Sequence, residues 1–229
     1  MKKNNSISEF QGKRYSDLPV DLHNNERLRK IFVMLNKEKR GSILDLGCLK
    51  GEFSFELKKK GWNVFGGDIS DALTEAGKKG IKSVKFDFEK PFPFKDNSFD
   101  AVFAGEVIEH IFDTDFFVSE LFRIIKPAGF LIISTPNTAW LPNRFLLLMG
   151  KKPLNLDYFK SGGHIRAYTF SLLEKQLKQQ GFIIEKRTSE LLRLSDKIEF
   201  PLLYRLESIL ADFFPTFSLS VIIKARKKQ

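Results

Sequence analysis

The sequence predicts an α/β fold, a doubly wound parallel sheet with helices on both faces. Two observations predict it. Short apolar stretches alternate with amphipathic ones from Ser42 to about Thr135, and the first of them, "SILDLG", runs into a glycine turn and a helix-forming segment. Repeated strand–helix alternation implies parallel strands joined by right-handed crossovers, with any ligand at the carboxyl ends of the strands.

Residues 1–20 read as irregular. A helix is expected from about Asn24 to Lys39, because Leu28, Ile31, Phe32 and Leu35 fall at i, i+3, i+4 and i+7. Gly41 ends it. The alternation follows: strand "SILDLG", helix "EFSFELKKK", strand "WNVFGGD", helix "DALTEAGKK", strand "KSVKFDF" and, after the turn "KDNS", strand "FDAVFAG". "DTDFFVSELFRII" is a helix capped by Asp113 or Thr114, "KPAG" a turn, and "FLIIST" the fifth strand. A long connection then carries one helical piece near Leu141–Met149; connections of that length are commonly lids or binding segments. Helix "SLLEKQLKQQ" and strand "FIIEKRT" resume the pattern. An apolar stripe (Ile198, Leu202, Leu203, Leu206, Ile209, Leu210) is expected to face a core or a dimer partner, and "FSLSVIIKA" is the last strand.

Composition bounds the chemistry. A chain of 229 residues, 42% hydrophobic and 29% charged, suits one folded α/β domain with a small cap. Cys48 is the only cysteine, so no internal disulfide forms and a reducing, cytoplasmic setting is expected. "MKKNNSISEF" has lysines but no apolar run after them, so it does not read as a signal peptide, and no stretch reads as a membrane span. The formal net charge is +10. Many of the lysines fall at helix ends ("KKKG", "KKG"), where they complement helix dipoles, or in the basic tail "KARKK". Charge is therefore no argument for a nucleic-acid partner.

The glycine loop narrows the ligand. "ILDLGCLKG" spaces Gly47 and Gly51 as G-x-x-x-G, not as the G-x-G-x-x-G of dinucleotide enzymes, and no phosphate-loop lysine follows. Asp45 inside the strand and Glu52 after the loop disfavour pyrophosphate and suit a ligand with a positive group. Asp68 closes the second strand and can accept both hydroxyls of a ribose. Ile69 beside it can flank a purine. Asp87 after the third strand can reach an exocyclic amine, with Phe88 against the ring. Acids at three successive strand ends fit a nucleoside without phosphates; the plain alternative is that each caps a helix.

These pieces, with "FDAVFAGEVIEHIFDTDFFVSELFRIIKPAGFLIISTPN", resemble a class I S-adenosylmethionine-dependent methyltransferase of the type-11 group, over about Ser42 to Lys186. The resemblance implies a Rossmann-like, three-layer αβα fold with a seven-stranded sheet whose last strand is antiparallel. It divides the chain into an N-terminal segment and helix (1–40) and a methyltransferase domain (41–229) with a substrate-side insertion at about 136–168. It implies S-adenosylmethionine as cofactor: Asp45, Gly47 and Gly51 at its methionine part, Asp68 at the ribose, Asp87 and Phe88 at the adenine, Gly105 and Glu106 near the sulfonium. Tyr15 resembles an aromatic residue folded over the methionine end. Leu49 departs from the family pattern, standing where a glycine is usual.

Transfer to a hydroxyl requires loss of its proton, and His110 and His164 are the expected bases; each has a plain alternative, as a loop hydrogen-bonder or a cap. His23 has no partner motif. If "EVIEH" is helical, Glu106, Glu109 and His110 share a face, and with His164 they are candidate metal ligands. Similar letters occur in metal-dependent RNA 2′-O-methyltransferases. The assignment made here is metal-free O-methylation of a small-molecule or glycan acceptor, with Trp140, Asn137, Asn143, Arg144 and Arg166 on the acceptor side and a homodimer possible. The alternatives are the metal-dependent RNA enzyme, a nicotinamide-linked oxidoreductase, and a non-catalytic cofactor-binding protein.

Overall fold

The computed structural model describes residues 25–156, 164–192 and 201–228, with the side chains of 201–204 outside the description. Tyr15, His23 and Ile198 lie outside the described residues. Helix α1 (Glu26–Leu35) precedes β1 (Ser42–Leu46), α2 (Glu52–Lys59), β2 (Asn63–Asp68), α3 (Leu73–Lys78), β3 (Lys82–Lys85) and β4 (Phe99–Gly105). Then come α4 (Thr114–Ile124), β5 (Ile125–Pro136), α5 (Leu141–Leu148), α6 (Phe170–Gln179), β6 (Phe182–Thr188), α7 (Pro201–Phe213) and β7 (Ser220–Lys227).

The seven strands form one sheet in the order β3-β2-β1-β4-β5-β7-β6, parallel except for β7, which runs antiparallel to both β5 and β6. Strand order reverses between β1 and β4. Their register pairs Leu46 with Ala104, so both strands end side by side at the crevice where such sheets bind ligands.

The inner strands are buried on both faces, and successive side chains enter opposite cores. Leu44, Val102 and Leu131 face one core, with Phe117 and Leu121 of α4 and Leu173 of α6. Ile43, Ala101 and Ile132 face the other, with Leu28, Ile31 and Leu35 of α1 and Phe53 and Leu57 of α2. Helix α1 therefore belongs to the same core as the sheet. Lys30 ties it to α7, its Nζ donating to the Ser208 carbonyl (2.7 Å) and the Asp212 carboxylate (2.9 Å).

Several expectations need correction. The first helix stops at Leu35, well short of Gly41. Strand β3 ends at Lys85, because Phe86 turns inward onto Phe88, Phe92 and Phe94 and breaks the strand's alternation. The "KPAG" turn lies within β5 as an irregularity, with Ala128 at φ 62° and a register shift opposite Phe99–Ala101. On α7, Leu206, Ile209 and Leu210 are exposed, and the buried side is Glu207, Ser208 and Ala211. For these three the core alternative is set aside and the partner-face alternative is untouched; Ile198 and the side chains of Leu202 and Leu203 lie outside the description. Asp113, one of the two expected caps, does cap α4, its carboxylate accepting from the Phe116 amide at 2.9 Å.

Phe117 is fully buried between Phe88 and Phe92. Phe117→Ala should lower the unfolding free energy by about 3–5 kcal/mol, read from urea melts.

Candidate active site at the sheet switch point

The loop after β1 turns on three left-handed residues: Gly47 (φ 73°), Leu49 (φ 48°) and Gly51 (φ 74°). At Gly47 a Cβ would stand 2.8 Å from Val107, and at Gly51 2.8 Å from Ala76. Both positions need glycine for conformation and for room. Leu49 takes the same left-handed conformation with a side chain, at a cost of roughly 1–2 kcal/mol. The Asp68 carboxylate holds it there: Oδ2 accepts from the Leu49 amide (2.8 Å) and Oδ1 from the Ser70 amide (2.8 Å). Asp68 thus spans the β1 loop and the end of β2. Each oxygen keeps lone-pair capacity for a ligand hydroxyl.

Asp45 lies beneath the loop and is fully buried, with Oδ2 accepting from the Ser54 hydroxyl of α2 at 2.5 Å. Burial pushes its carboxyl up to about 7, against the Ser54 bond, and the Asp68 charge adds to the rise. Cys48 is buried beside the two acids, and burial raises its thiol far above the usual range. It is no nucleophile.

Asp87 sits just past β3 and accepts from the Glu89 amide (3.0 Å), as a turn-forming aspartate does. Phe88 beside it is buried, packed on Phe86, Phe92 and Phe117, so its ring belongs to the core and not to the rim. Ile69 is half-buried next to Asp68.

At the end of β4, Gly105 leaves room for the Phe103 ring, which a Cβ would approach to 2.4 Å. Glu106 follows at φ 57°. "EVIEH" is therefore not an α-helix. Only Ile108–His110 form a 3-10 turn, and the cluster of close ligand atoms is Glu109, His110 and His164, without Glu106. The Glu106 carboxylate pairs with Arg27 of α1 (3.3 Å) and accepts from the Ser134 hydroxyl (3.0 Å). Arg27 also donates to Ser134, at 2.9 Å. Sequence reasoning missed Arg27, Ser134 and Ser54, which lie in no motif and reach the site only through strand order and helix packing.

Glu109 is 1% exposed, and neither of its oxygens has a hydrogen-bond partner among the described residues. Burial, then the Glu106 carboxylate, push its pKa well above the usual range. His110 and His164, distant in sequence, lie with ring centroids 5.0 Å apart and their planes tilted by 56°. His164 is brought there by its neighbours: the Ile165 and Arg166 amides both donate to the Glu109 carbonyl (2.9 and 3.1 Å).

The residues expected on the acceptor side are instead internal fasteners. Trp140 donates to the Leu192 carbonyl (2.5 Å), and Asn137 to the Ser218 carbonyl (2.8 Å). Asn143 donates to Asn155 (2.8 Å), Arg144 to the Ala139 carbonyl (2.6 Å), and Arg166 to the Ile111 and Phe112 carbonyls.

Comparison with known proteins places this geometry. A family model described as "Methyltransferase domain" matches residues 44–133, the loop and strands that build the site. The demethylmenaquinone methyltransferase of Lactobacillus johnsonii is 30% identical over 182 residues, covering 67% of this chain and 73% of that protein. The chain belongs to the S-adenosylmethionine-dependent methyltransferases. The ubiquinone biosynthesis O-methyltransferase of Pelagibacter ubique is 34% identical over 100 residues; the match spans 42% of each protein, so this chain covers about two fifths of that relative. Among solved structures, an S-adenosylmethionine-dependent methyltransferase from Mesorhizobium loti aligns over 90% of this chain and all of its own, with 20% identity and a TM-score of 0.67. The [4+2]-cyclase SpnF shares the fold as well, with 18% identity, 89% of this chain and 81% of its own covered, and a TM-score of 0.62. Family membership sets aside the nicotinamide alternative.

The donor set fits the family's cofactor. Asp68 is a free-lone-pair acceptor beside a glycine turn, and Asp45 and Glu106 add carboxylates around the loop, which suits a phosphate-free nucleoside with a cationic sulfonium.

Leu49→Gly should remove the left-handed strain. After the larger chain entropy of glycine is subtracted, a gain of up to about 1 kcal/mol is expected in denaturant melts. Asp45→Asn removes a buried acid whose folded pKa is raised. Below about pH 4 the acid is neutral in both states. As pH rises towards 7 the unfolded chain ionises and the folded one resists, so the wild type loses stability. The melting temperature of Asp45→Asn should therefore gain on the wild type between about pH 4 and 7 and then hold a constant lead; a lead that shrinks as pH rises would refute the assignment.

Proposed function

We propose that this protein transfers a methyl group from S-adenosylmethionine to a hydroxyl oxygen of a small molecule. The observation that carries the reading is Asp68, a buried carboxylate fixed by the Leu49 and Ser70 amides at the switch-point loop. The cofactor supplies an electrophilic methyl already activated by the sulfonium charge. Asp68 binds the ribose, and Gly47 and Gly51 let the backbone approach the methionine part. Asp87 and Ile69 flank the base. Gly105 and Glu106 line the wall next to the reacting carbon, where Glu106, held by Arg27 and Ser134, places a carboxylate near positive charge.

The protein's remaining work is alignment, exclusion of water and disposal of the acceptor's proton. His110 and His164 govern that proton from the acceptor side. A hydroxyl acceptor is favoured because the Pelagibacter ubique relative is named as an O-methyltransferase of ubiquinone biosynthesis. A sugar acceptor loses its support, since the Trp140 indole is buried and bonded within the protein.

Calorimetry with S-adenosylhomocysteine tests the site. Two charge-assisted ribose bonds imply that Asp68→Asn weakens binding by about 2–3 kcal/mol, roughly 30- to 150-fold. Equal affinity for wild type and variant removes Asp68 from the site.

A further inference from the structure

One cluster at this site has no role in holding the cofactor. Glu109, His110 and His164 each offer a ligand atom, and these atoms all lie within 4.8 Å of one another. We propose that the three side chains bind a divalent first-row transition ion, and that this ion takes the acceptor's hydroxyl oxygen as a further ligand. The second half of that statement rests on the methyltransferase reading; the ion site itself does not.

Glu109 gives the first reason. A buried carboxylate with neither oxygen hydrogen-bonded among the described residues is costly, and a bound cation would offset that cost. Its aim is towards imidazole: Oε1 lies 4.0 Å from His110 Nε2. The second reason is His164. Its Nδ1 lies 3.1 Å from the Asn155 carbonyl, which can only accept, so Nδ1 carries the proton and Nε2 keeps its lone pair. Metal-ligating histidines are held this way, with the distal N–H given to a carbonyl.

Glu106 completes the case by its absence from the set. It is spent on Arg27 and Ser134, so the sequence candidates reduce from two carboxylates to one. Arg166, two residues after His164, turns its guanidinium to the Ile111 and Phe112 carbonyls. One carboxylate with two imidazoles selects zinc, manganese, iron or cobalt over magnesium and calcium, which prefer all-oxygen shells. With one anionic ligand, a dication keeps a single positive charge, which one deprotonated hydroxyl neutralises. The bound hydroxyl has a lowered pKa, its O–H bond breaks and the proton passes to solvent. The oxygen then attacks the methyl carbon, the carbon–sulfur bond breaks, and sulfur keeps the electron pair as the thioether product leaves. The histidines thus govern the proton as ligands and not as free bases.

The test uses full-length, untagged protein, stripped with a chelator and exchanged into chelator-free buffer. Co(II) is titrated and followed by visible absorption, and Mn(II) by calorimetry. One equivalent should bind the wild type, and Glu109→Gln and His164→Ala should each weaken binding at least about tenfold. Circular dichroism melts establish that each variant is folded; if one is not, the other decides. S-adenosylhomocysteine should bind both variants as it binds the wild type. No stoichiometric uptake by the wild type, or undiminished uptake by a folded variant, overturns the ion site and leaves the methyltransferase reading standing. Uptake without any S-adenosylhomocysteine binding does the reverse.

Discussion

The hydrogen bonds from Leu49 and Ser70 to Asp68 are the constraint on which the site depends. They fix a loop that would otherwise drift, because each left-handed residue in it either gains freedom from glycine or, at Leu49, opposes its own side chain. The same bonds pin the carboxylate, so binding group and loop hold each other. The sheet supports both: β1 and β2 pair in parallel register up to Leu46 and Gly67, and Asp68 is the next residue on. A cradle built this way is preorganised before any ligand arrives, and a ligand then loses less in ordering it.

Two buried acids flank this cradle and differ in what they are for. Asp45 has one partner, Ser54, under the loop. Glu109 has no side-chain hydrogen bond among the described residues, with His110 Nε2 4.0 Å away, yet its backbone carbonyl is doubly bonded. Isolated, each lowers stability. Their burial beside a site for a cationic ligand is the pattern in which local cost is retained for binding. The rest of the domain offsets it with two cores that fill both faces of the sheet.

Much of this was legible in the sequence, for identifiable reasons. Strands such as Ile43–Leu46 and Phe99–Gly105 are short apolar runs with acid or glycine stops, and periodicity finds them. Asp68 and the loop glycines were legible because spacing and strand-end position survive without tertiary knowledge. Phe88 was misplaced because an apolar residue next to a ligand acid reads the same whether it faces the rim or the core. "EVIEH" was misread as a possible helix because residue letters do not reveal that Glu106 takes a left-handed turn. Arg27 was invisible: a basic residue on the polar side of α1 acquires meaning only once the helix lies against the ends of β4 and β5. Tyr15 lies outside the described residues.

The paired bonds from Ile165 and Arg166 to the Glu109 carbonyl have a consequence for how such a protein diversifies. The far end of the long connection is riveted to the turn after β4, and its near end is fastened by Asn137 to the β7 side of the sheet. Between those anchors, exposed positions that carry none of these bonds, such as Leu147, Leu148 and Met149, can be rewritten while the Asn155 carbonyl keeps its hold on His164. New substrate preferences can therefore arise by editing the span while the reactive machinery stays in register.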